Sequence, residues 1–300
     1  MGFRAAIRRG DPAGGTATGG SVETAVEPPF SAGHERAEEV FRSRLRGHPH
    51  LTDRESRLCE LIEYFGWETG HKAQYATPWF YEDDPRARGY EKALGVDNMT
   101  FQILHMYSLF NRMDPERHDF FWIYDGILER LEALGGPEAV WALDFGTGLG
   151  QIGLSMALAG YRTVQSDRVT EFLSFISFLA KNRGVEPVLH HAPTDHSFFD
   201  PSSQEGPCGL VVEWSAFEHV ADTIPALEQI TSSLVPGGMF VTTTFCKDWT
   251  PELLEHYRRD SQDDEIADQY LSGKPDEWLR ERFEVLSPPN TIAKVLVLRG

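Results

Sequence analysis

The sequence predicts an α/β fold: a Rossmann-like, doubly wound sheet of seven strands with an antiparallel last strand, preceded by a helical cap. Three observations carry that expectation. From "AVWALDFG" onward, short apolar runs alternate with helical patterns, which implies parallel strands covered on both faces. The first run ends in the glycine-rich turn "DFGTGLG", placed where a strand must turn into a helix. The last two apolar runs, "RFEVLSPP" and "IAKVLVLRG", are separated by only a short turn, so no crossover helix fits and they must pair antiparallel.

The elements follow in order. Residues 1–33 are rich in Gly, Ala, Thr and Pro with little to bury, which predicts a disordered tail. Residues 34–115 read as a helical cap or lid with an aromatic-rich loop. Its first helix, "TDRESRLCELIEYFG", has Thr52 and Glu55 at capping-box spacing and then Leu58, Leu61, Ile62 and Phe65 on one face. The loop "GWETGHKAQYATPWFYEDDPRARGY" is crowded with aromatics, and a second helix starting near Asp97 carries Ile103, Leu104, Tyr107 and Phe110. The main domain is expected over 116–300. It opens with the helix "PERHDFFWIYDGILERLEALGG", stopped by Gly135 and Gly136. Strands are then expected at "AVWALDFG", "RTVQSD", "PVLHHAP", "GLVVEWS" and "GGMFVTTTF", with helices at "QIGLSMALAG", "VTEFLSFISFLAKNRG" and "ADTIPALEQITSSLV". A polar helical stretch runs from about Pro251 to Arg282, before the final strand pair.

The totals narrow the function. A formal charge of −18 over 300 residues repels phosphate backbones and anionic bilayers, so neither nucleic acid nor membrane is expected as a partner. Three cysteines without metal-ligand spacing suit a reducing compartment, and no apolar run reaches the roughly 20 residues of a bilayer span. A cytoplasmic location is the expectation.

The glycine turn reads in two frames. Asp144 with Gly146, Thr147, Gly148 and Gly150 makes an acid followed by alternating glycines; Gly148, Gly150 and Gly153 make the spacing of a dinucleotide loop. Charge separates them. A diphosphate needs the free N–H groups of a helix N-terminus, and an acid beside it is unfavourable. S-adenosylmethionine carries no phosphate but has a sulfonium and an ammonium, which Asp144 suits. Asp167, at the end of the second strand, is placed to accept hydrogen bonds from a ribose in either case.

"LDFGTGLG" resembles motif I of the class I S-adenosylmethionine-dependent methyltransferases. "VVEWSAFEHVADTIPALEQITSSLVPGGMFVTTTF" is similar to the fourth strand, helix and fifth strand of the small-molecule branch that includes ubiquinone-biosynthesis enzymes: Glu218, His219 and Val220 match its "EHV", and Leu234, Pro236, Gly237 and Gly238 its "L-x-PGG". The resemblance covers about 116–300 and implies S-adenosylmethionine as cofactor and a small-molecule methyl acceptor. It departs at Gly209, where the fourth strand usually opens with aspartate, and after the third strand, where only Asp195 of "HHAPTDHSFF" is placed to meet the adenine amino group.

His219, just past the fourth strand, is the candidate catalytic base, with a structural role at a helix start as its alternative. Glu213, a carboxyl group in an apolar strand, either reads a substrate polar group or pairs within the fold. Tyr107 and Phe110 are candidates to line an apolar acceptor pocket. No metal is assigned, because the adjacent His190 and His191 point to opposite faces of a strand. Two further readings stay open at this point: an NAD(P)-dependent oxidoreductase using Gly148, Gly150 and Gly153, and a protein that binds S-adenosylmethionine without turnover.

Overall fold

The structure, a computed structural model, describes residues 54–66, 97, 99–100, 102–103, 119–192, 206–246, 255, 267–269, 271–287 and 293–300. Helix α1 (Arg54–Phe65) and helix α2 (Asp119–Ala133) precede the sheet. Then come β1 (Trp141–Phe145), α3 (Gln151–Leu158), β2 (Arg162–Asp167), α4 (Thr170–Arg183), β3 (Val188–His191) and β4 (Cys208–Glu213). The chain continues through α5 (Thr223–Ser233), β5 (Leu234–Thr242), α6 (Lys274–Arg282), β6 (Phe283–Val285) and β7 (Lys294–Leu298).

The seven strands lie in the order β3-β2-β1-β4-β5-β7-β6. β7 runs antiparallel to both β5 and β6, and the other pairs are parallel. The doubly wound sheet with an antiparallel last strand is therefore present. β1 and β4 are buried along their whole length, as strands covered on both faces must be. Leu143, Phe145, Val211 and Phe240 pack with Leu227 and Ile230 of α5 and Leu279 of α6. Ala142, Leu210, Val212 and Val241 pack with Ile127 and Leu131 of α2 and Met156 of α3. No helix among the described residues is long and apolar enough to cross a membrane.

Two local features differ from the sequence expectation, and a third explains the departure at Gly209. β5 begins at Leu234, upstream of the two glycines, rather than at them. Cys208 pairs with Leu234 and Leu210 with Met239, so Val235–Gly238 bulge out of the ladder, with Gly237 at φ +79°. The polar stretch before the last strands is not one helix: α6 starts anew after Gly273 (φ +79°), with proline in its first turn. Gly209 sits at an irregularity of β4, and a Cβ there would lie 2.8 Å from Leu131 Cδ2 and from Val140 Cγ2. An aspartate at that position has no room under α2, which accounts for the departure from the family pattern.

Only part of the region before α2 is described. Met99–Thr100 and Gln102–Ile103 are helical, and Asp97 starts the turn by accepting from the Thr100 amide (2.9 Å) and hydroxyl (2.8 Å). Leu61 and Ile103 are buried against Phe175, Ile176 and Leu179 of α4. Glu60 accepts from Arg183 Nη2 at 3.0 Å and from its Nε at 3.4 Å, both side chains being buried. α1 is thus docked on α4. The tail (1–33) and most of the expected lid, including the aromatic loop, lie outside the described residues.

Candidate active site

The site is built at the carboxyl ends of β1, β2 and β4. After Phe145 the chain turns through Gly146 (φ +65°), Gly148 (φ +54°) and Gly150 (φ +70°) into α3. Left-handed backbone at alternate positions suits glycine alone. At two of them contact adds a second reason. A Cβ on Gly146 would meet Ala216 Cβ at 2.3 Å, and one on Gly150 would meet Gln165 Oε1 at 2.3 Å and Ile176 Cγ1 at 2.7 Å. The turn is pressed against the β4 exit on one side and against β2 and α4 on the other.

Two buried carboxyl groups close on this turn. Asp144 Oδ2 accepts from the Thr147 hydroxyl at 2.8 Å and from the Gly153 amide at 2.9 Å. Asp167 Oδ2 accepts from the Gly148 amide at 2.8 Å, and its Oδ1 from the Val169 amide at 2.9 Å. Burial pushes the Asp144 carboxyl up to about 7, against the lowering effect of its two hydrogen bonds, and Asp167 nearby adds to the rise. Burial also raises Asp167, opposed by its backbone hydrogen bonds and by Arg168. Asp144 Oδ2, in the residue expected to face a ligand, also holds the turn itself through these two hydrogen bonds.

The exit of β4 forms the other wall. Glu213 is fully buried. Its Oε1 accepts from the Ala216 amide at 2.7 Å, the Phe217 amide at 3.4 Å and the Thr244 hydroxyl at 3.0 Å, while Oε2 accepts from the Thr242 hydroxyl at 2.5 Å. Of its two expected roles, pairing within the fold is the one the structure contains. Ser215, at φ +54°, donates its amide to Thr243 Oγ1 at 2.8 Å. Phe217 stacks on Phe145 with centroids 5.3 Å apart and meets Phe245 edge-on at 4.7 Å. The short 3-10 turn Phe217–His219 is fixed by these contacts and presents His219 at the surface. Its imidazole lies close enough to protein on one side for partial burial, and secondarily Arg168, to lower its pKa.

The structure thus brings Asp144, Gly146, Thr147, Gly148, Gly150 and Asp167 together around one turn, with Glu213 and His219 on the adjoining wall. Asp195, Tyr107 and Phe110 lie outside the described residues. Sequence reasoning missed Gln165. It is completely buried, stands opposite Asp144 in the β1–β2 register, and places Oε1 3.2 Å from the Thr147 hydroxyl. Its signal is a long polar side chain at an inward position of a strand. Thr242 and Thr244 were missed as well, though a threonine run at a strand end is a source of hydroxyl donors for a buried carboxyl group.

A family model described as a methyltransferase domain matches residues 121–290. The chain belongs to this family. Membership removes the oxidoreductase alternative and agrees with the resemblance read from "LDFGTGLG". Among curated relatives, the tRNA 5-carboxymethoxyuridine methyltransferases of Escherichia coli K12 and O157:H7 are each 30% identical over 115 residues, covering 37% of this chain. The chain spans about two fifths of the length of those relatives, 42% in each case. Among solved structures, an rRNA methylase from Streptococcus thermophilus aligns over 61% of this chain and 98% of its own, with 16% identity and a TM-score of 0.38. The magnesium protoporphyrin IX methyltransferase of Synechocystis PCC 6803 aligns over 83% and 100%, with 12% identity and a TM-score of 0.38. The assignment rests on the family match and the strand order, not on these distant likenesses.

Proposed function

We propose that this methyltransferase domain passes a methyl group from S-adenosylmethionine to a small-molecule acceptor. One observation carries the choice of cofactor: the N–H groups of Gly148 and Gly153 are already taken by Asp167 and Asp144. A diphosphate would meet two buried acids and few free donors, whereas a cationic nucleoside amino acid meets complementary charge.

S-adenosylmethionine supplies an electrophilic methyl group on a positively charged sulfur. The chain's own residues do the rest. The Gly146–Gly150 turn lets a ligand approach the backbone. The Asp167 carboxylate keeps acceptor capacity beyond its backbone hydrogen bonds, enough for ribose hydroxyls. Asp144 contributes negative charge beneath the turn, and Asp195 is assigned to the adenine edge. Tyr107 and Phe110 are assigned to the acceptor pocket; Glu213 acts at a distance, by holding the β4 exit. His219, with a lowered pKa, is neutral at pH 7 and can take a proton from an acceptor hydroxyl. Positioning in a dry pocket supplies much of the acceleration.

Asp167→Ala is expected to weaken S-adenosylhomocysteine binding roughly tenfold or more by calorimetry. Unchanged affinity would remove Asp167 from the ribose. His219→Ala is expected to lower kcat by about 10²-fold or more and to abolish the acidic limb of its pH profile. A profile that keeps that limb would make His219 structural.

The net charge of −18 supports a small-molecule acceptor over a polynucleotide, and cysteine usage supports a cytoplasmic location. The acceptor class is tested with donor carrying a labelled methyl group, offered separately with a metabolite extract and with bulk tRNA. Label in the low-molecular-weight fraction supports the proposal. Label in tRNA replaces the acceptor class with the one named for the Escherichia coli relatives. Tight donor binding without label in either makes this a binding protein.

A further inference from the structure

Gln165 is fully buried, and its Nε2 has no hydrogen-bond partner. An unsatisfied buried amide is costly, so its presence in the strand beneath the glycine turn needs a reason. Its neighbours supply one. Thr147 has one hydroxyl proton and two acceptors within reach: Asp144 Oδ2 at 2.8 Å and Gln165 Oε1 at 3.2 Å. The proton can serve only one of them well. Asp144 and Gln165 are register partners on β1 and β2, so Thr147 bridges a cross-strand pair.

This chain of three groups has two consistent directions. With Asp144 protonated, its O–H donates to Thr147 and the Thr147 hydroxyl donates to Gln165 Oε1, leaving the amide N–H groups unpaired. With Asp144 ionised, the Gln165 amide turns over, Nε2 donates to Thr147, and the Thr147 hydroxyl donates to Asp144. One N–H and the carbonyl oxygen are then left unpaired in place of two N–H groups, a less severe defect because an unpaired carbonyl costs less than an unpaired N–H. Gln165 thereby favours the ionised acid.

We propose that Gln165 is a positioning residue for the donor turn, acting through Thr147 to keep Asp144 ionised when ligand binds. The charged group facing Asp144 is Asp167 of β2, which raises its pKa further. The β4 residue opposite, Val212, is apolar, and α3 (QIGLSMAL) carries no titratable side chain. With a pKa of about 7, Asp144 changes charge near neutral pH, where the relay has most leverage. The ligand side of this inference rests on the proposed cofactor; the proton side does not.

The experiment therefore has two arms. In the first, carbon-13 NMR follows the Asp144 carboxyl titration in ligand-free protein, assigned by its loss in Asp144→Asn. Gln165→Leu is expected to raise the midpoint by about one pH unit, because a donor chain to the ionised form is lost. Gln165→Met keeps the side-chain length and serves if the leucine variant does not fold. Thr147→Val should raise the midpoint too, and Thr147→Ser should restore it. An unmoved midpoint in the folded Gln165 variant overturns the proposal, as does failure of Thr147→Ser to restore what Thr147→Val changes. In the second arm, calorimetry compares S-adenosylhomocysteine affinity between pH 6 and pH 8. The wild type is expected to bind more tightly as pH rises. The Gln165 variant should show the same curve displaced upward, with affinity at pH 7 lowered roughly three- to tenfold. Equal curves overturn the positioning role even if melting temperature falls. A wild type that does not bind this ligand overturns the cofactor reading and leaves the first arm to decide the relay.

Discussion

Asp144→Asn is expected to stabilise the protein at pH 8 while weakening its grip on the donor. The carboxyl of Asp144 is buried and its pKa stands at about 7, against an ordinary aspartate value of 3.8. Between those values the folded chain binds more protons than the unfolded one, so stability falls as pH rises from about 4 to about 7. Above pH 7 the whole cost of ionising a buried acid is present. An asparagine carries no such cost, and its carbonyl oxygen can still accept from the Thr147 hydroxyl and the Gly153 amide. The gain at pH 8 should be roughly 1–3 kcal/mol, or a few degrees in Tm, and should vanish toward pH 4. Calorimetric melts of both proteins across that range check it. A pH-independent difference would mean that Asp144 does not titrate within the fold. Donor-product affinity should drop about tenfold at pH 8, because the charge proposed to face the ligand's ammonium is gone. If both results hold, the site carries an unfavourable charge for the sake of its ligand, a trade between stability and activity seen across enzymes.

Glu213→Ala should be the most damaging single change near the site. It removes the acceptors of two amides and two hydroxyls in a region with no access to water. Each orphaned group costs about 1–3 kcal/mol, and the losses in one network are not independent. A total of about 4–6 kcal/mol is expected, a large part of the 5–15 kcal/mol typical of a whole domain. Glu213→Gln retains one acceptor oxygen and is expected to cost about half as much. Urea unfolding at pH 7 measures both. A change below about 1 kcal/mol in the alanine variant would show that these hydrogen bonds do not hold the β4 exit. Loss of catalysis with stability intact would return Glu213 to the acceptor.

The sheet was legible because its signals are local. Each strand is a short apolar run, each helix has its own period, and the brief turn between β6 and β7 leaves only an antiparallel pairing. The glycine turn and the acids at the ends of β1 and β2 were legible for the same reason. Interactions across the sheet were not. Glu213 meets its hydroxyl partners 29 and 31 positions along the chain, and nothing near it in sequence announces them. Gln165 sits in "RTVQSD", where its neighbours read as an ordinary strand; only the β1–β2 register places it against Asp144. Gly209 was legible as a departure from pattern, but its cause, the approach of Leu131 from α2, is a packing fact. The bulge at Val235–Gly238 was likewise hidden, because "PGG" reads as the turn before a strand rather than as an irregularity within one.

Anyone wishing to shorten this protein should look first at Glu60. Its partner Arg183 ends α4 in the interior, and the two meet across 123 positions of chain. Trimming to residue 116, where the family resemblance begins, would strip that guanidinium of Glu60 and bare the side of α4 where Phe175 and Phe178 meet Tyr64. Such a fragment would forfeit about 3–5 kcal/mol at that one point and acquire an adhesive flank. Expression trials would then report a sticky product and invite the wrong lesson, that the remaining chain is intrinsically insoluble, when Leu61 and Ile103, which pack on α4, have been cut away.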